Sequence, residues 1–229
     1  MMKNNPISKE KIFEELFSRY PQLDVCRQSV WDAFRLMEQS YRNSGSLYIA
    51  GNGGSAADSG HIAGELMKSF LFKRQLDQSE VQKYTERFAQ EGQRLAEQLE
   101  KGLPAFSLPS FCALSTAVLN DVGGEYVFAQ ALNAAARKGD VFLGISTSGN
   151  SINIVHAMMT AKVRELSCIG MTGENSCRLD GICDVVIHVP QVETYKIQEL
   201  HLPVYHALCA MLEAEFFGRK ESQREKQCT

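Results

Sequence analysis

The chain has 229 residues, 44% of them hydrophobic, and its 24 basic and 27 acidic side chains give a net charge of −3. This apolar content suffices for a full core and argues against disorder. The chain lacks the excess of basic residues that is typical of proteins that bind nucleic acid or anionic membranes, which argues against both classes. Because no apolar run reaches spanning length, no signal segment opens the chain and the seven cysteines form no CxxC pair, we expect a cytoplasmic protein with reduced thiols.

The first predicted elements are helices. Apolar residues recur at helical spacing from Phe13 to Met37, within a stretch that spans residues 9–43. Because Pro21 cannot continue a helix, this stretch is expected to form two helices or one kinked helix.

Strand-like and helix-like segments then alternate along the chain. The predicted strands are 47–50, 105–108, 141–145, 167–171 and 185–189, and the predicted helices are 56–70, 115–120, 124–137, 151–165 and 196–217. This alternation predicts right-handed βαβ units, and therefore an α/β domain whose five-stranded, mostly parallel sheet is covered on both faces. Ligands of such sheets bind beyond the carboxyl ends of the strands.

Residues 71–103 break this pattern, because they are highly charged and carry scattered apolar residues at helical spacing. They are expected to form an insertion of one or two amphipathic helices that covers the surface, contacts another subunit or closes over the site. The chain as a whole, 1–229, is expected to be a single domain with a polar, frayed tail at 219–229.

The most informative motif is GNGGS at residues 51–55, between a predicted strand and a predicted helix. Glycines let a ligand approach the backbone and the N–H groups at a helix start attract anions, so a phosphate-binding turn is predicted. Part of a dinucleotide fingerprint is also present. Such a fingerprint needs an acidic residue at a strand end about 20 positions later. The segment there, SFLFKRQ, is basic and has no clear acidic strand end, which disfavours a nicotinamide cofactor.

A second motif, ISTSGNS at residues 145–151, follows another predicted strand. Its backbone N–H groups and its hydroxyls suit phosphate oxygens. The hydroxyls belong to Ser146, Thr147, Ser148 and Ser151. An ordinary helix cap is the alternative for an isolated cluster, but two such turns in one sheet favour a ligand.

Titratable side chains accompany these turns. His61 and Glu65 lie four residues apart on the helix after the first turn and therefore share a helix face. The segment YKIQELHLPVYH, at residues 195–206, adds Gln198, His201 and His206. Phosphate donors beside a His/Glu pair indicate a site that holds a phosphorylated molecule and moves its protons.

The segments GNGGSAADSGHIAGEL, GDVFLGISTSGNS and IQELHLPVYH together resemble the bacterial phosphoheptose isomerases, within the wider group of sugar isomerase (SIS) domains. The resemblance runs over most of residues 25–217 apart from the insertion. It implies an SIS-type three-layer αβα sandwich and a homotetramer whose active sites are built from neighbouring subunits. The implied reaction converts sedoheptulose 7-phosphate to D-glycero-D-manno-heptose 7-phosphate.

The same resemblance implies roles for individual residues. Glu65 is expected to be the general base, and His206 its acid partner. The expected ligands of a zinc ion are His61, Glu65, Gln198 and His206. The expected phosphate contacts are Ser146, Thr147, Ser148 and Ser151, and the expected sugar contacts are Asn52, Gly53, Gly54, Ser55 and Gln198.

Aldose–ketose interconversion moves a proton between C1 and C2 through an enediol, which requires a base at carbon and an acid at the oxygens. A carboxylate and an imidazole can divide this work, and a zinc ion could polarise the carbonyl. Geometry adds a constraint, because Gln198 and His206 lie about 12 Å apart along a straight helix. They can share a metal only if they point at each other, if Gln198 precedes the helix, or if they come from different subunits.

Two positions depart from the family pattern, since Phe111 and Tyr195 occupy places where the resemblance leads us to expect aspartates. The loss of two hydrogen-bond acceptors is expected to change sugar specificity. The alternatives are an isomerase of another sugar phosphate and a non-catalytic SIS-domain protein that binds a replication initiator or senses sugar phosphates. The presence of His206 argues for the enzyme.

Overall fold

The computed structural model describes residues 8–218, so the polar tail at 219–229 lies outside the described residues. The chain begins with helix α1 (Lys9–Arg19), a 3-10 turn (Pro21–Cys26) and helix α2 (Arg27–Arg42). Pro21 is the first residue of the 3-10 turn, which separates the two helices. The predicted break at this proline is therefore confirmed.

Five strands and six further helices complete the fold. They are β1 (Leu47–Gly51), α3 (Gly54–Met67), α4 (Gln78–Gln98), β2 (Ala105–Ser107), α5 (Cys112–Asp121), α6 (Val127–Ala135), β3 (Val141–Ile145), α7 (Ile152–Val163), β4 (Ser167–Thr172), β5 (Val185–His188) and α8 (Thr194–Phe217). All four strand pairings are parallel, in the order β2-β1-β3-β4-β5. The predicted α/β class is confirmed, and each predicted strand agrees with the observed one to within a residue.

Alternate side chains of the strands build a core on each face of the sheet, as strand geometry requires. Helices α1, α2, α3 and α8 pack on one face, whereas α6 and α7 pack on the other. Helix α8 is apolar around most of its circumference, and most of this surface is buried within the chain. Tyr205, Met211 and Leu212 are almost inaccessible to solvent. The composition of this helix is therefore explained without a second subunit.

The segment 71–103 contains α4, as its amphipathic pattern predicts. Ala89 interrupts the helix with a positive φ of 49°, and the chain then turns back so that Gly92 lies against the backbone of Tyr84. A bridge between Gln75 and Glu100 closes the base of this excursion. The two arms of α4 are largely exposed, so they lie on the surface rather than in either core.

Candidate functional site

The two polar turns meet at one edge of the sheet. Strand β1 pairs with β2 on one side and with β3 on the other, so the strand order reverses at β1. The register places Gly51 beside Ile145, at the carboxyl ends of β1 and β3. The turn at residues 51–55 (the glycine turn) and the turn at residues 145–151 (the serine turn) are therefore neighbours at the switch point where such sheets bind ligands.

A pair of side-chain amides joins the glycine turn to the start of α7. The side chain of Asn52 donates to Asn153 Oδ1 over 3.0 Å, and Asn153 donates back to Asn52 Oδ1 over 2.9 Å. Asn153 lies in the first turn of α7, so the reciprocal pair holds the starts of α3 and α7 side by side. The expected sugar contact Asn52 thus has its amide already engaged within the chain.

The serine turn has the geometry of an anion site. The hydroxyl of Ser146 donates to that of Ser151 over 3.1 Å, which brings two of the four predicted hydroxyls together. Within residues 8–218, the N–H groups of Thr147, Ser148 and Ser151 have no acceptor. Ser151 is the N-cap of the 12-residue helix α7, and Thr147 and Ser148 lie in the turn that leads to it. Free N–H groups in such turns and at helix starts attract an anion. All four predicted phosphate contacts therefore lie in one turn.

The glycine turn leads directly into α3. Gly53 has a φ of 56°, in the left-handed region that favours glycine, and caps the start of the helix. A Cβ at Gly54 would lie 2.6 Å from the side-chain nitrogen of Gln198, so a larger residue at this position would displace the amide. Ser55 is buried in the first turn of α3. The glycine turn therefore offers a surface bordered by the amide of Gln198.

Further along α3, three predicted residues form a compact cluster (the His–Glu–His cluster). Glu65 Oε1 lies 3.1 Å from His61 Nε2 and 3.3 Å from His206 Nε2. One potential ligand atom from each residue lies within 4.8 Å of the other two. Helix α3 supplies His61 and Glu65 from successive turns, and α8 supplies His206.

The polar atoms of this cluster are not satisfied by the described part of the chain. Glu65 Oε2 and His206 Nε2 are buried and have no hydrogen-bond partner among residues 8–218. Buried polar atoms without partners are costly, so native proteins retain them where a ligand or a reaction uses them. Two imidazoles and a carboxylate within reach of one point are also the donors that zinc prefers. The cluster therefore fits a metal ion.

Burial also changes the protonation of the cluster. It raises the pKa of Glu65 above the usual value, and the nearby His61 and the thiol of Cys209 offset only part of this effect. Burial lowers the pKa of His206, and the neighbouring His61 adds to the shift. Near neutral pH, Glu65 is therefore a stronger base than a free carboxylate, and His206 is a neutral imidazole.

The structure assembles three of the four expected metal ligands. Gln198 and His206 both belong to α8, which also contains Pro203, but they contact different parts of α3. Gln198 lies at Gly54, whereas His206 lies at Glu65, eleven residues further on or about 16 Å along the helix. Gln198 does not complete the cluster of its own chain, and its place at the glycine turn suits its other expected role as a sugar contact.

Three residues that border the cluster were not predicted from the sequence. Tyr205 contacts His61 through its hydroxyl, Asp58 accepts from that hydroxyl, and Arg74 Nη2 donates to the backbone oxygen of Glu65 over 2.8 Å. Asp58 and Tyr205 adjoin recognised motif residues, and this adjacency was the available signal. Nothing in the sequence pattern marks Arg74, which lies in the insertion.

The two aromatic replacements lie in different surroundings. Phe111 precedes α5 and packs, half-buried, against the core on the α6 and α7 face. Tyr195 is 58% exposed in the first turn of α8, three residues before Gln198 and so on the same side of the helix. Tyr195 is therefore the replacement that lies beside Gln198, whose amide borders the glycine turn.

Comparisons with known proteins agree with this geometry. The family model of the SIS domain matches residues 84–173, which include the serine turn. A phosphoheptose isomerase of Aneurinibacillus thermoaerophilus is 36% identical over 82% of this chain and 86% of its own length. Phosphoheptose isomerase 2 of Campylobacter jejuni is 38% identical over 79% of this chain and 77% of its own length.

A solved structure extends the agreement to the fold. The phosphoheptose isomerase of Neisseria gonorrhoeae has a TM-score of 0.65 and 29% identity, over 88% of this chain and 98% of that one. The fold and the paired turns thus define an SIS-type sugar isomerase. More narrowly, the chain belongs to the phosphoheptose isomerase family, which confirms the resemblance identified from the three sequence segments.

Proposed function

We propose that this protein is an aldose–ketose isomerase that interconverts sedoheptulose 7-phosphate and D-glycero-D-manno-heptose 7-phosphate. The observation that carries the proposal is the His–Glu–His cluster. In it, a carboxylate on the helix that starts at the glycine turn has a raised pKa and contacts two imidazoles. The names of the similar proteins, which are phosphoheptose isomerases, support the same substrate class.

The spacing along α3 supports a long-chain substrate. His61 follows Gly54 by seven residues, which is about 10 Å along a helix. A seven-carbon sugar phosphate carries its carbonyl and its phosphate at opposite ends of the chain. Because the serine turn adjoins the glycine turn at the sheet edge, we propose that a phosphate held there leaves C1 and C2 close to the His–Glu–His cluster.

The chemistry is divided between a carboxylate and an imidazole. Glu65 takes a proton from C1 of the ketose while the carbonyl oxygen at C2 gains a proton from His206, which gives the enediol. Glu65 then returns a proton to C2 as the hydroxyl at C1 gives its proton to His206, which gives the aldose and restores both residues. The raised pKa of Glu65 matches a base that must also act as the conjugate acid.

Zinc is part of the proposal. His61, Glu65 and His206 would hold the ion, which when bound would polarise the substrate carbonyl as a Lewis acid. The Nε2 atom of His206 cannot bind a metal and donate a proton at the same time. Removal of the metal therefore distinguishes the role of His206 as a ligand from its role as an acid.

We also propose the homotetramer that the family resemblance implies. An apolar groove of about 440 Å³ lies between α6 and α7, lined in part by Val122, Tyr126, Met159 and Val163. These four side chains are all exposed, with Val163 at 83%. An exposed apolar surface of this kind is suited to burial between subunits. The cytoplasmic location stays a prediction; among residues 8–218, the helices are too short or too polar to span a membrane.

The test is turnover of sedoheptulose 7-phosphate by the purified protein, first with EDTA and then with added zinc. We expect turnover that falls with EDTA and returns with zinc. If EDTA does not change turnover, Glu65 and His206 remain the proposed acid–base pair, but the proposed metal is wrong. If the protein binds sugar phosphates but isomerises none of them, it is a non-catalytic binding protein and the proposal is wrong.

A further inference from the structure

A chain of hydrogen bonds runs behind the His–Glu–His cluster. The hydroxyl of Tyr205 lies 3.3 Å from Asp58 Oδ1, to which it donates, and 3.0 Å from His61 Nδ1. Tyr205 is only 1% exposed, so water cannot replace these contacts. The three residues come from both helices of the site, since Asp58 and His61 belong to α3 and Tyr205 belongs to α8.

One order of donors in this chain suits metal binding by His61. When Tyr205 gives its one proton to Asp58, its oxygen can accept a proton that His61 carries on Nδ1. In this tautomer the Nε2 atom of His61 keeps its lone pair for a metal ion held between it and Glu65 Oε1, which lies 3.1 Å away. A lone pair at Nε2 is what a metal or a protonated partner in the cluster requires.

The ring of Tyr205 also holds both histidines in place. It meets His61 edge-to-face with ring centres 5.5 Å apart, and it meets His206 in the same way at 4.9 Å. One buried side chain therefore contacts two of the three members of the cluster. Removal of the hydroxyl alone would leave this packing in place and would remove only the hydrogen bonds.

We infer that Tyr205, with Asp58, is a positioning residue that sets the tautomer and orientation of His61 for metal binding. The inference rests on the proposed function, because it concerns the same cluster. Asp58 supports the role, since its second oxygen is buried without a partner among residues 8–218, which leaves Tyr205 as its side-chain donor. Contacts of this kind behind a metal ligand typically change metal affinity 10- to 100-fold.

The experiment uses Tyr205→Phe, which keeps the ring and removes the hydroxyl. The matched control is Tyr48→Phe, since Tyr48 is also buried and donates its hydroxyl to the backbone of Ala135 on the other face of the sheet. Zinc affinity is measured by competition with a chromogenic chelator. We expect Tyr205→Phe to bind zinc about 10- to 100-fold more weakly than the wild type, and Tyr48→Phe to bind it as the wild type does. Equal affinity in Tyr205→Phe would overturn the inference.

A second measurement separates this inference from the proposed metal. In metal-free protein, the ¹⁵N signals of His61, assigned by their loss in His61→Gln, report its tautomer. We expect the fraction of the Nδ1–H form to be lower in Tyr205→Phe than in the wild type and in Tyr48→Phe. A wild type that binds no zinc but shows this change would contradict the metal and support the tautomer role. An unchanged tautomer would overturn the inference whatever the zinc result.

Discussion

Two buried glutamates, Glu65 on α3 and Glu213 on α8, differ in the hydrogen-bond partners that their carboxylates have. Glu213 is fully buried, and its carboxylate accepts hydrogen bonds from Arg74 Nε and from the backbone N–H groups of Phe70 and Leu71. Glu65 is 8% exposed, and it has one oxygen between two histidines and the other without a partner in the described chain.

This difference indicates that Glu213 stabilises the fold, whereas Glu65 is available for a reaction. The ion pair of Glu213 with Arg74 joins α8 to the base of the 71–103 segment, and Arg74 also donates to the backbone of Glu65 and Leu66. A carboxylate with complete hydrogen bonds stabilises the fold, and breaking such a buried pair is costly. A carboxylate that lacks partners retains capacity for a substrate or a metal.

The same substitution at both sites gives the clearest contrast, beginning with Glu65→Gln. This change removes the base but keeps the shape, so we expect turnover to fall about 10²- to 10⁴-fold. The midpoint of thermal unfolding should stay within a few degrees of the wild type, because the side-chain amide of glutamine can still form a hydrogen bond with His61. Steady-state kinetics and calorimetry check both parts, and full activity in Glu65→Gln would remove the assigned base.

The substitution Glu213→Gln should have the opposite effect. It leaves the Arg74 guanidinium buried without its counter-charge, which typically costs about 3–5 kcal/mol. Chemical denaturation should show this loss in the free energy of unfolding. The fraction of the variant that stays folded at low temperature should retain much of the wild-type turnover. A variant as stable as the wild type would show that the ion pair does not hold this part of the fold.

A smaller effect is expected at the glycine turn. In Gly54→Ala the new Cβ would meet the amide nitrogen of Gln198 at 2.6 Å and displace it. We expect KM to rise about tenfold, as for the loss of a buried polar contact worth roughly 1–2 kcal/mol. Gly60→Ala is the matched control, since Gly60 lies in the same helix and a Cβ there meets nothing within 4 Å. Equal KM values in the two variants would show that Gln198 does not contact the sugar.

The smallest effect is expected at the serine turn, in Ser148→Ala. The Ser148 hydroxyl is exposed and accepts from the N–H of Asn150, so its removal leaves the fold intact. One lost hydrogen bond to phosphate should raise KM by about five- to tenfold with little change in kcat. Ser29→Ala, which removes a hydroxyl from α2, serves as the control. An unchanged KM in Ser148→Ala would argue against a phosphate in this turn.

Local sequence signals predicted the strands and both turns because they depend on neighbours in the chain. The apolar runs at 47–50 and 141–145 and the small residues after them suffice to place Gly51 and Ser146 at strand ends. The pairing of His61 with Glu65 follows from helix periodicity alone. These parts of the site required no knowledge of how the helices pack.

The remaining features depend on contacts between distant segments. Gln198 and His206 could not be assigned to different ends of α3 until the packing of α8 on α3 was known. Asp58 and Tyr205 are 147 residues apart in sequence. The break at Ala89 was equally hidden, because alanine is a strong helix former and its positive φ is imposed by the return of the chain.

The most direct test of the account is exchange of solvent deuterium into the sugar during turnover in D₂O, followed by NMR at C1 and C2. We predict that the wild type incorporates deuterium at the carbon that Glu65 reprotonates, and that Glu65→Gln does so at least about 100-fold more slowly. Exchange in Glu65→Gln at the wild-type rate would show that another group moves the proton. The unsatisfied carboxylate would then not be the catalytic base.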